Sequence, residues 1–544
     1  MKIGWPWLSL FEPHPDLAAF RPVIGESGMV SSPHATASRI GLDILRRGGN
    51  AVDAAIATSA ALMVICPMQC GPGGDAFWMI ASRDGRIHAL DASGRAAMAA
   101  NADDVHAAGF NAIPMRSGFS VTTPGAVDGW AKAHAKFGSL PLSELLEPAA
   151  ALAEHGFIAS RHAVASYRTA EPELREKQAL ACLGVEAMPS LYGKVCQPAL
   201  ARTLRDIGAS AGRTFYEGPL ASAIARAVRQ FGGWLDEADL AACAAEWVEP
   251  ISAPFRKLTV FTTPPSTQGF GLLAALCRIE AVSSGPLDRH DPAAVHLLIE
   301  ATAAALDLRD RYNQDRKGVP AGLQALWEEP AASTFAQTYD PSARSALAAR
   351  PSHRVTKGDT AHLAVCDANG MCVSLIQSLF FDFGSCIPVQ EGGFTLQNRG
   401  AAFHLNPEEA GALAPGIRPP STLMPSIATI AGTPVLTSGC MGGDGQIQTQ
   451  LQLLIDITDG GLDPQQAISR PRWYLDRSGA DSSLVKVEAG VERSIVEGLR
   501  ARGHLVEVLG PSEEIMGHAQ VIQRVGSVLV GGADPRSDGQ VAAC

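Results

Sequence analysis

The sequence predicts a fold of the α+β class, because helical stretches and antiparallel hairpins alternate along one chain. Two pairs of apolar runs are joined by the tight turns Arg83-Asp84-Gly85 and Asp367-Ala368-Asn369-Gly370, which is typical of β-hairpins. Between these pairs, the middle third is rich in helix formers. At 544 residues, the chain could form one unusually large domain or two closely packed layers.

Two helices are predicted ahead of the first hairpin. The apolar spacing of residues 37–45 indicates a helix that ends at Gly48, since glycine readily adopts the left-handed conformation found at helix ends. Asn50 is suited to cap the next helix, because its side chain can accept hydrogen bonds from free amides. Residues 77–80 and 87–90 are the expected strands of the hairpin.

Prolines mark helix starts in the middle third, and a polar stretch separates it from the second hairpin. Pro148 and Pro219 are each predicted to open a helix, since a first turn does not need the amide hydrogen that proline lacks. Residues 342–357 are polar and basic with little apolar periodicity, so we expect an exposed connection there. A second, hairpin-rich body is predicted to begin near Thr360.

Composition and charge argue against nucleic acid and membrane partners. The net charge of -11 is spread along the chain, and there is no basic block that could bind phosphates. The longest apolar run, residues 54–67, is shorter than the roughly 20 residues needed to cross a bilayer. The first residues lack the apolar core of a signal peptide, which predicts a cytoplasmic protein.

The sequence also predicts neither a metal site nor an organic cofactor. The 11 cysteines are scattered without a CxxC pair, so reduced thiols are expected, and the histidines show no metal-ligand spacing. The glycine loops GPGG and GGDG lack the strand-turn-helix context and the following acid of a dinucleotide site.

Several segments, in order, resemble the γ-glutamyltranspeptidases. Spread over residues 41–539, they include GLDILRRGGNAVDAAIATSAAL, TTPGAVDGWAKAHAKFGSLPL, PPSTQGFGLL, DTAHLAVCDANG, IRPPSTLMPS, GCMGGDGQ and GGADPRSDG. An accidental match over so many ordered motifs is very improbable, although one glycine motif alone would be weak. The chain is therefore identified as a member of this family.

The resemblance implies an αββα sandwich of the N-terminal nucleophile hydrolase type, in which two stacked antiparallel sheets lie between helical layers. It also implies a precursor that is cut into a large subunit, residues 1–359, and a small subunit, residues 360–544. The two subunits would stay associated as one intertwined domain. A dimer of such heterodimers is compatible with the sequence.

Thr360, in DTAH, matches the nucleophile of the family, although Ala361 replaces the usual second threonine. The resemblance implies that its hydroxyl attacks the Asp359 carbonyl, that the peptide becomes an ester, and that water then frees the Thr360 amine. A free α-amine titrates near ~7.7–8.0, so it can take the proton of the hydroxyl at neutral pH.

Three more residues match catalytic positions of the family. Ser378 falls where a threonine supports the nucleophile, and a serine keeps the same donor and acceptor. Gly442 and Gly443 match the paired glycines that offer backbone N–H groups to the developing oxyanion.

The resemblance also suggests how a substrate carboxylate would be bound. Arg95, in LDASGRAA, matches an arginine that can hold a carboxylate bidentately. Ser421 and Thr422, in RPPST, fall where two serines assist, although they could equally form a turn.

The segment LQNRGAAF departs from the transpeptidase pattern. Ala402 stands where an acid binds the substrate ammonium, Arg399 replaces a glutamine, and Phe380 replaces an asparagine that contacts the same ammonium, while Asn398 is retained. Replacing an anion and adding a cation disfavours an ammonium-bearing substrate. Arg95 and Arg399 instead suit an anionic acyl group without an amine, such as oxamate or a short dicarboxylic monoamide. For Arg399, a surface position with a solvated head is the alternative.

The loop after this segment, residues 404–417, is too short to form the lid that covers the site in many relatives, which favours hydrolysis over transfer. IQSLFxxFGS with QNRG resembles the family branch that includes oxamate amidohydrolase and transpeptidase-like hydrolases. This resemblance implies an amidohydrolase that acts on a small-molecule amide through an acyl-Thr360 ester.

Two other functions stay open. One is a γ-glutamyltransferase or glutathione hydrolase that recognises the ammonium through another acid, such as Asp382 or Asp444. The other is an uncleaved, non-catalytic binding protein.

Overall fold

The computed structural model describes residues 21–185, 188–320, 322–345, 359–477 and 484–544. Its strands are β1 (Val23–Gly25), β2 (Gly28–Ser32), β3 (Asp75–Ala81), β4 (Ile87–Ala92), β5 (Phe157–Ile158), β6 (Lys194–Val195), β7 (Glu246–Val248), β8 (Ile251–Phe255), β9 (Leu258–Thr262), β10 (Asp359–Asp367), β11 (Cys372–Phe380), β12 (Pro388–Val389), β13 (Phe394–Thr395), β14 (Ser426–Ile430), β15 (Thr433–Cys440), β16 (Trp473–Asp476), β17 (Leu484–Val487), β18 (Leu505–Val508), β19 (Ala519–Val525), β20 (Val528–Ala533) and β21 (Gln540–Ala543).

The α-helices of the described residues are α1 (Ala35–Arg46), α2 (Ala51–Ile65), α3 (Ala102–Ala107), α4 (Ala126–Phe137), α5 (Leu142–His155), α6 (Arg161–Thr169), α7 (Glu171–Glu176), α8 (Ala179–Cys182), α9 (Pro198–Ser210), α10 (Arg213–Tyr216), α11 (Pro219–Gln230), α12 (Glu237–Ala241), α13 (Gly269–Val282), α14 (Pro292–Tyr312), α15 (Ala331–Thr338), α16 (Gln446–Thr458), α17 (Pro464–Ser469) and α18 (Arg493–Ala501). Among them, no helix is both long and apolar enough to cross a membrane.

Two seven-stranded antiparallel sheets organise these elements. Sheet I has the strand order β21-β2-β10-β11-β3-β4-β7, and sheet II has the order β1-β20-β19-β15-β14-β9-β8. Each sheet contains strands from both sides of Thr360: β10 and β11 lie between β2 and β3 in sheet I, and β14, β15, β19 and β20 lie between β9 and β1 in sheet II. Fragments produced by a cut before Thr360 would therefore be interleaved through both sheets.

Three apolar layers hold the sandwich together. One lies between sheet I and the helices α1, α2, α4, α5 and α9, and a second lies between sheet II and the helices α13, α14, α16 and α18. The third lies between the sheets, where Met29, Ala364, Ile427 and Ile522 meet. The predicted αββα sandwich is confirmed, and burial on both faces explains why β10 and β11 are buried along their whole length.

The local predictions fare differently. Asn50 caps α2 as expected, and its side chain accepts from Val52 N and Asp53 N. The predicted start at Pro148 is wrong, because α5 begins at Leu142 and the proline lies inside the helix. The buried stripe of α5, Leu142, Leu145, Leu146, Ala149, Ala150 and Ala153, runs through this position, so tertiary packing outweighs the hydrogen bond that proline cannot make. The predicted connection at residues 342–357 lies outside the described residues from residue 346 onward.

Candidate active site

The β10–β11 hairpin places Thr360 opposite Ser378. The Asp367 side chain shapes its turn by accepting from Asn369 N at 2.8 Å and from Met371 N at 3.1 Å. The other carboxylate oxygen of Asp367 accepts from Ala51 N, which fastens the hairpin to the first turn of α2. At the opposite end the register shifts between Asp359 and Thr360, so the peptide bond that joins them lies at an irregularity of the strand.

A short chain of hydrogen bonds surrounds this peptide bond. The Thr360 hydroxyl donates to the Ser378 hydroxyl at 3.2 Å, and Ser378 donates to the Asp359 carbonyl at 2.7 Å. The amide of Phe380 donates to Ser378 Oγ at 2.7 Å and so holds this hydroxyl in place. Ser378 therefore touches both the hydroxyl and the carbonyl that an attack by Thr360 would join.

His362 fixes the strand that carries Thr360 but takes no part in this chain of bonds. Its ring contacts Ser374 Oγ at 2.8 Å and Gln520 Oε1 at 3.2 Å. Burial lowers the pKa of His362 to about 3, and the hydrogen bond to Gln520 opposes this effect. A side chain at Gly439 would overlap the imidazole, so β15 crosses β10 closely at this point.

Gly442 and Gly443 follow that crossing, at the end of β15. Both have positive φ, 142° and 53°, which side-chain-bearing residues rarely adopt. Within the described part of the chain, neither amide donates to a backbone carbonyl. Gln268 Nε2 donates to the Gly443 carbonyl at 2.9 Å and so helps to hold the glycine loop in place.

Asp444, one of the acids considered for ammonium binding, is paired within the protein. Its carboxylate lies 2.6 Å from Arg309 Nη1, and the side chain of Arg309 is 1% exposed. Arg309 also donates to Gln268 and Asp310. The charge of Asp444 is thus balanced by a buried guanidinium next to the glycine loop.

Arg399 is buried rather than exposed, so its interpretation as a solvated surface arginine is wrong. Its Nε and Nη2 donate to the Asp75 carboxylate at 3.0 and 3.1 Å, and its guanidinium carbon lies 4.5 Å from the centre of the Phe380 ring. Burial raises the pKa of Asp75, and the pairing with Arg399 opposes this rise. Since Asp75 pairs with Ser378 in the sheet, the ion pair supports the strand next to the nucleophile.

Asn398 is also occupied by the protein. Its side-chain oxygen accepts from Phe381 N at 3.2 Å, and its nitrogen donates to the Met115 carbonyl at 3.0 Å. These bonds shape the chain around Phe380, whose φ is 82°.

Arg95 lies in a cluster of alternating charges that we call the Glu246 cluster: Arg95, Arg316, Arg418, Asp91, Glu246 and Asp315. Within it, Glu246 contacts Arg95 at 2.6 Å, Arg316 at 2.8 Å and Arg418 at 3.1 Å. Burial raises the pKa of Glu246, but Arg418 and Arg95 outweigh this effect and bring the pKa to about 2. The Arg95 side chain remains 30% exposed, whereas that of Arg418 is 2% exposed.

Ser421 and Thr422 lie near the glycine loop, to which Thr422 is linked through Gln268. The Ser421 hydroxyl accepts from Leu423 N at 3.3 Å, a bond typical of a serine turn, and the Ser421 backbone donates to the Ser266 carbonyl at 2.7 Å. The Thr422 carbonyl accepts from Gln268 Nε2 at 2.8 Å, the group that also binds Gly443.

A cavity of about 620 Å³ opens beside these elements. Phe380, Ala402, Phe403, Thr422 and Asp444 line one part of it. Another part of the wall is formed by the short loop at residues 404–417, which contributes residues 404–407 and Glu409. No arginine or lysine is among its described lining residues, so Arg95 and Arg399 do not line it. Of the five residues predicted to bind substrate, only Thr422 lines this cavity.

Sequence reasoning did not identify Asp75 or the partners of Arg95. Asp75 ends the loop GPGGD, where an acid directly after glycines was a usable signal. Glu246 and Arg418 gave no comparable signal, because they reach Arg95 from distant parts of the chain. The catalytic and binding roles of all the named site residues stay predictions.

The sandwich is that of the N-terminal nucleophile hydrolases, and Thr360 is the second residue of its buried inner strand β10. The chain belongs to the γ-glutamyltranspeptidase family, since the family model described as gamma-glutamyltranspeptidase matches residues 37–544. The chain is thus an enzyme of a family whose curated relatives include hydrolase proenzymes.

Three relatives illustrate the similarity. The chain is 35% identical over 527 residues to the glutathione hydrolase-like YwrD proenzyme of Bacillus subtilis, covering 95% of this chain and 99% of that protein. It is 36% identical over 532 residues to the oxamate amidohydrolase proenzyme of Klebsiella pneumoniae, with coverage of 95% and 99%. A cephalosporin acylase from Bacillus halodurans has the same fold, with a TM-score of 0.88, 33% identity and coverage of 98% and 99%. The predicted resemblance to the family, and to its branch with oxamate amidohydrolase, is confirmed.

Proposed function

We propose that this chain cuts itself between Asp359 and Thr360 and that Thr360 then hydrolyses an amide whose acyl group carries a carboxylate but no α-ammonium. The hydrogen-bond chain from Thr360 through Ser378 to the Asp359 carbonyl is the observation that carries the first part. The large subunit would be residues 1–359 and the small subunit residues 360–544, held together by the shared sheets.

Self-cleavage begins with the Thr360 hydroxyl. A bond forms from Oγ1 to the Asp359 carbonyl carbon. At the same time Oγ1 passes its proton to Ser378 Oγ, and Ser378 passes its own proton to the carbonyl oxygen. The bond from this carbon to Thr360 N then breaks as the carbonyl re-forms, the proton on the former carbonyl oxygen passes to the nitrogen, and an ester remains. Water cleaves the ester and leaves the Asp359 carboxylate and a free Thr360 amine.

Turnover reuses the same atoms. The free amine takes the proton of Oγ1 as the oxygen attacks the substrate carbonyl, and the leaving amine takes it away as the acyl ester forms. The amides of Gly442 and Gly443 donate to the oxyanion. Water then hydrolyses the ester and restores Thr360, with Ser378 orienting the hydroxyl.

The walls of the cavity support an acyl group without an ammonium. Ala402 and Phe380 line it in place of an acid and an amide, and the Asp444 charge is balanced by Arg309. The other acid of the wall, Glu409, lies on the short loop with its carboxylate 2.9 Å from His404 Nδ1. An ammonium would therefore lack the acid that Ala402 replaces, and its burial without that partner is costly. Arg95 is partly exposed, and a substrate carboxylate could share its guanidinium with Glu246.

Two features bear on the size of the substrate and on the acceptor. Small-molecule sites usually measure roughly 300–1,000 Å³, so a cavity of about 620 Å³ accepts more than oxamate alone. A dicarboxylic monoamide such as a glutaryl amide fits this description. Among the described residues, only the short loop at residues 404–407 and Glu409 takes the place of a covering segment at the cavity, which supports water as the acceptor.

Substrate profiling of purified, cleaved protein tests this proposal. We expect ammonia release from oxamate or aniline release from N-glutaryl anilide, and little release from the γ-glutamyl anilide, which differs from the glutaryl compound by one amine. Ala402→Asp should shift the preference towards γ-glutamyl anilide. A wild-type preference for γ-glutamyl anilide would restore the glutathione hydrolase alternative, and an uncut, inert chain would favour the binding protein.

A further inference from the structure

Two histidines and a glutamate meet in the interior, apart from the nucleophile hairpin. His296 and Glu300 lie one turn apart on α14, and His504 precedes β18. One ligand atom from each residue lies within 4.8 Å of the other two. All three residues are at most 4% exposed, so the cluster is buried.

The neighbouring backbone orients two of these side chains towards each other. His296 Nε2 donates to the Asp340 carbonyl at 3.0 Å, which leaves the Nδ1 lone pair facing His504 Nε2 at 2.8 Å. One oxygen of Glu300 accepts from the amide of Ser345 at 2.9 Å and from its hydroxyl. The other oxygen lies 3.8 Å from His504 Nε2.

We infer that His296 Nδ1, His504 Nε2 and Glu300 Oε1 form a binding site for a divalent cation such as Zn²⁺. Two imidazoles and one carboxylate are a ligand set typical of zinc, with a water completing the tetrahedron. The hydrogen bonds from His296 to Asp340 and from Ser345 to Glu300 are of the kind that fix metal-binding side chains.

Occupation requires the two rings to separate and the Glu300 carboxylate to move closer to them. Two nitrogens that share one zinc at ~2.0–2.1 Å stand roughly 3.3 Å apart, so the rings would separate by about 0.5 Å from the present hydrogen bond. The proton of His504 Nε2 would move to Nδ1, which has no hydrogen-bond partner among the described residues. The cation then takes the place of this proton between the two rings.

The site would hold the end of the large fragment. Asp340 and Ser345, which orient the ligands, are among the last described residues before residues 346–358 and the proposed cut. The amide of Arg344 also donates to the Arg502 carbonyl at 2.8 Å, next to His504. A cation would thus fasten residues 340–345 to α14 and to the start of β18. The inference does not depend on the cleavage itself.

Metal titration of the purified full-length protein tests the site. After treatment with a chelator, we expect one equivalent of Zn²⁺ to bind and to raise the Tm, and Co²⁺ to give the visible absorption of a four-coordinate ion. Glu300→Gln and His504→Gln should lose this binding. The matched control His290→Gln, which changes a half-exposed histidine beside Glu492, should bind like the wild type.

A milder variant keeps the test informative if the ligand variants do not fold. Ser345→Ala removes only the hydroxyl that orients Glu300, and we expect it to weaken Zn²⁺ binding by about 10–100-fold. The inference is overturned if the wild type binds no Zn²⁺ or Co²⁺, or if Ser345→Ala binds as tightly as the wild type and the control His290→Gln.

Discussion

The two ends of the candidate active site are built in different ways. The nucleophile end is made from hydroxyls and backbone groups of a single hairpin, where Thr360, Ser378 and the Asp359 carbonyl lie within hydrogen-bond distance. The binding end contains charged side chains, and both arginines predicted to grip substrate are already paired with carboxylates, Arg399 with Asp75 and Arg95 with Glu246. At the nucleophile end the hydroxyls and the carbonyl are therefore already in contact. At the binding end an arginine would have to give up a carboxylate of the protein before it could bind an anion.

This difference gives the arginines different roles. Arg399 has two nitrogens on Asp75 and a side chain that is 1% exposed, so its main contribution is to keep a buried carboxylate neutralised beside Ser378. Arg95 is 30% exposed and shares Glu246 with two other arginines, so it can turn towards a ligand at lower cost. The comparison predicts a loss of stability at Arg399 and a loss of binding at Arg95.

The largest effect should follow from Arg399→Met, because it leaves the Asp75 carboxylate buried without its cation. Breaking a buried pair typically costs about 3–5 kcal/mol. We expect a clear fall in unfolding free energy by urea denaturation, measured in the uncut Thr360→Ala chain so that cleavage does not interfere. The double variant Arg399→Met with Asp75→Asn should recover part of the loss, and no difference between the single and double variants would contradict the account.

Ser378→Ala should come next, because it removes the donor to the Asp359 carbonyl while leaving the fold intact. Loss of one such donor is commonly worth ~10²–10³ in rate. A time course of cleavage on gels should show this slowing, and Ser378→Thr, which keeps a hydroxyl, should stay close to the wild type. Cleavage at the wild-type rate in Ser378→Ala would remove this residue from the mechanism.

The sequence predicted the nucleophile end more fully than the binding end, and the reason is physical. Thr360 and Ser378 belong to adjacent strands joined by a short turn, so the spacing of the hairpin already brings them together. The partners of Arg399 and Arg95 come from Asp75 and Glu246, whose positions depend on how β3 and β7 join sheet I.

The same limit applies elsewhere in the molecule. His296 and Glu300 lie one helical turn apart, but His504 joins them only through the packing of α14 against α18, so their grouping was not recognised. The layered fold was predictable because ordered motifs of the family cover the chain, whereas the start of α5 was missed because packing carried the helix through Pro148.

Arg95→Gln should have a moderate effect, confined to binding. Removing the guanidinium that a substrate carboxylate would share should raise KM for N-glutaryl anilide by about tenfold, or ~1.4 kcal/mol, with little change in the rate of self-cleavage. Steady-state kinetics measures this directly, with Arg226→Gln as the control, because Arg226 is an exposed arginine that pairs with Glu391. An unchanged KM would show that Arg95 does not hold the substrate carboxylate.

Near neutral pH the smallest effect is that of His362, because its contribution changes only in acid. The pKa of His362 is lowered from 6.5 to about 3 in the folded chain. Between pH 6.5 and pH 3, His362 is therefore protonated in the unfolded chain but neutral in the folded chain. Its contribution to stability is complete above pH 6.5 and decreases as the pH falls towards 3, by up to ~1.4 kcal/mol per pH unit.

Urea denaturation of the uncut Thr360→Ala chain at several pH values measures this slope. In the same background, His362→Gln should reduce the slope by the equivalent of about one proton. Equal slopes for the parent chain and His362→Gln would show that His362 titrates normally.

Intact-mass analysis of freshly purified protein tests the central claim most directly. We predict two fragments that together weigh one water more than the uncut chain, with Thr360 as the new N-terminus, and a single uncut chain for Thr360→Ala. A wild-type chain that stays whole during prolonged incubation, or a cut at another peptide bond, would contradict the account.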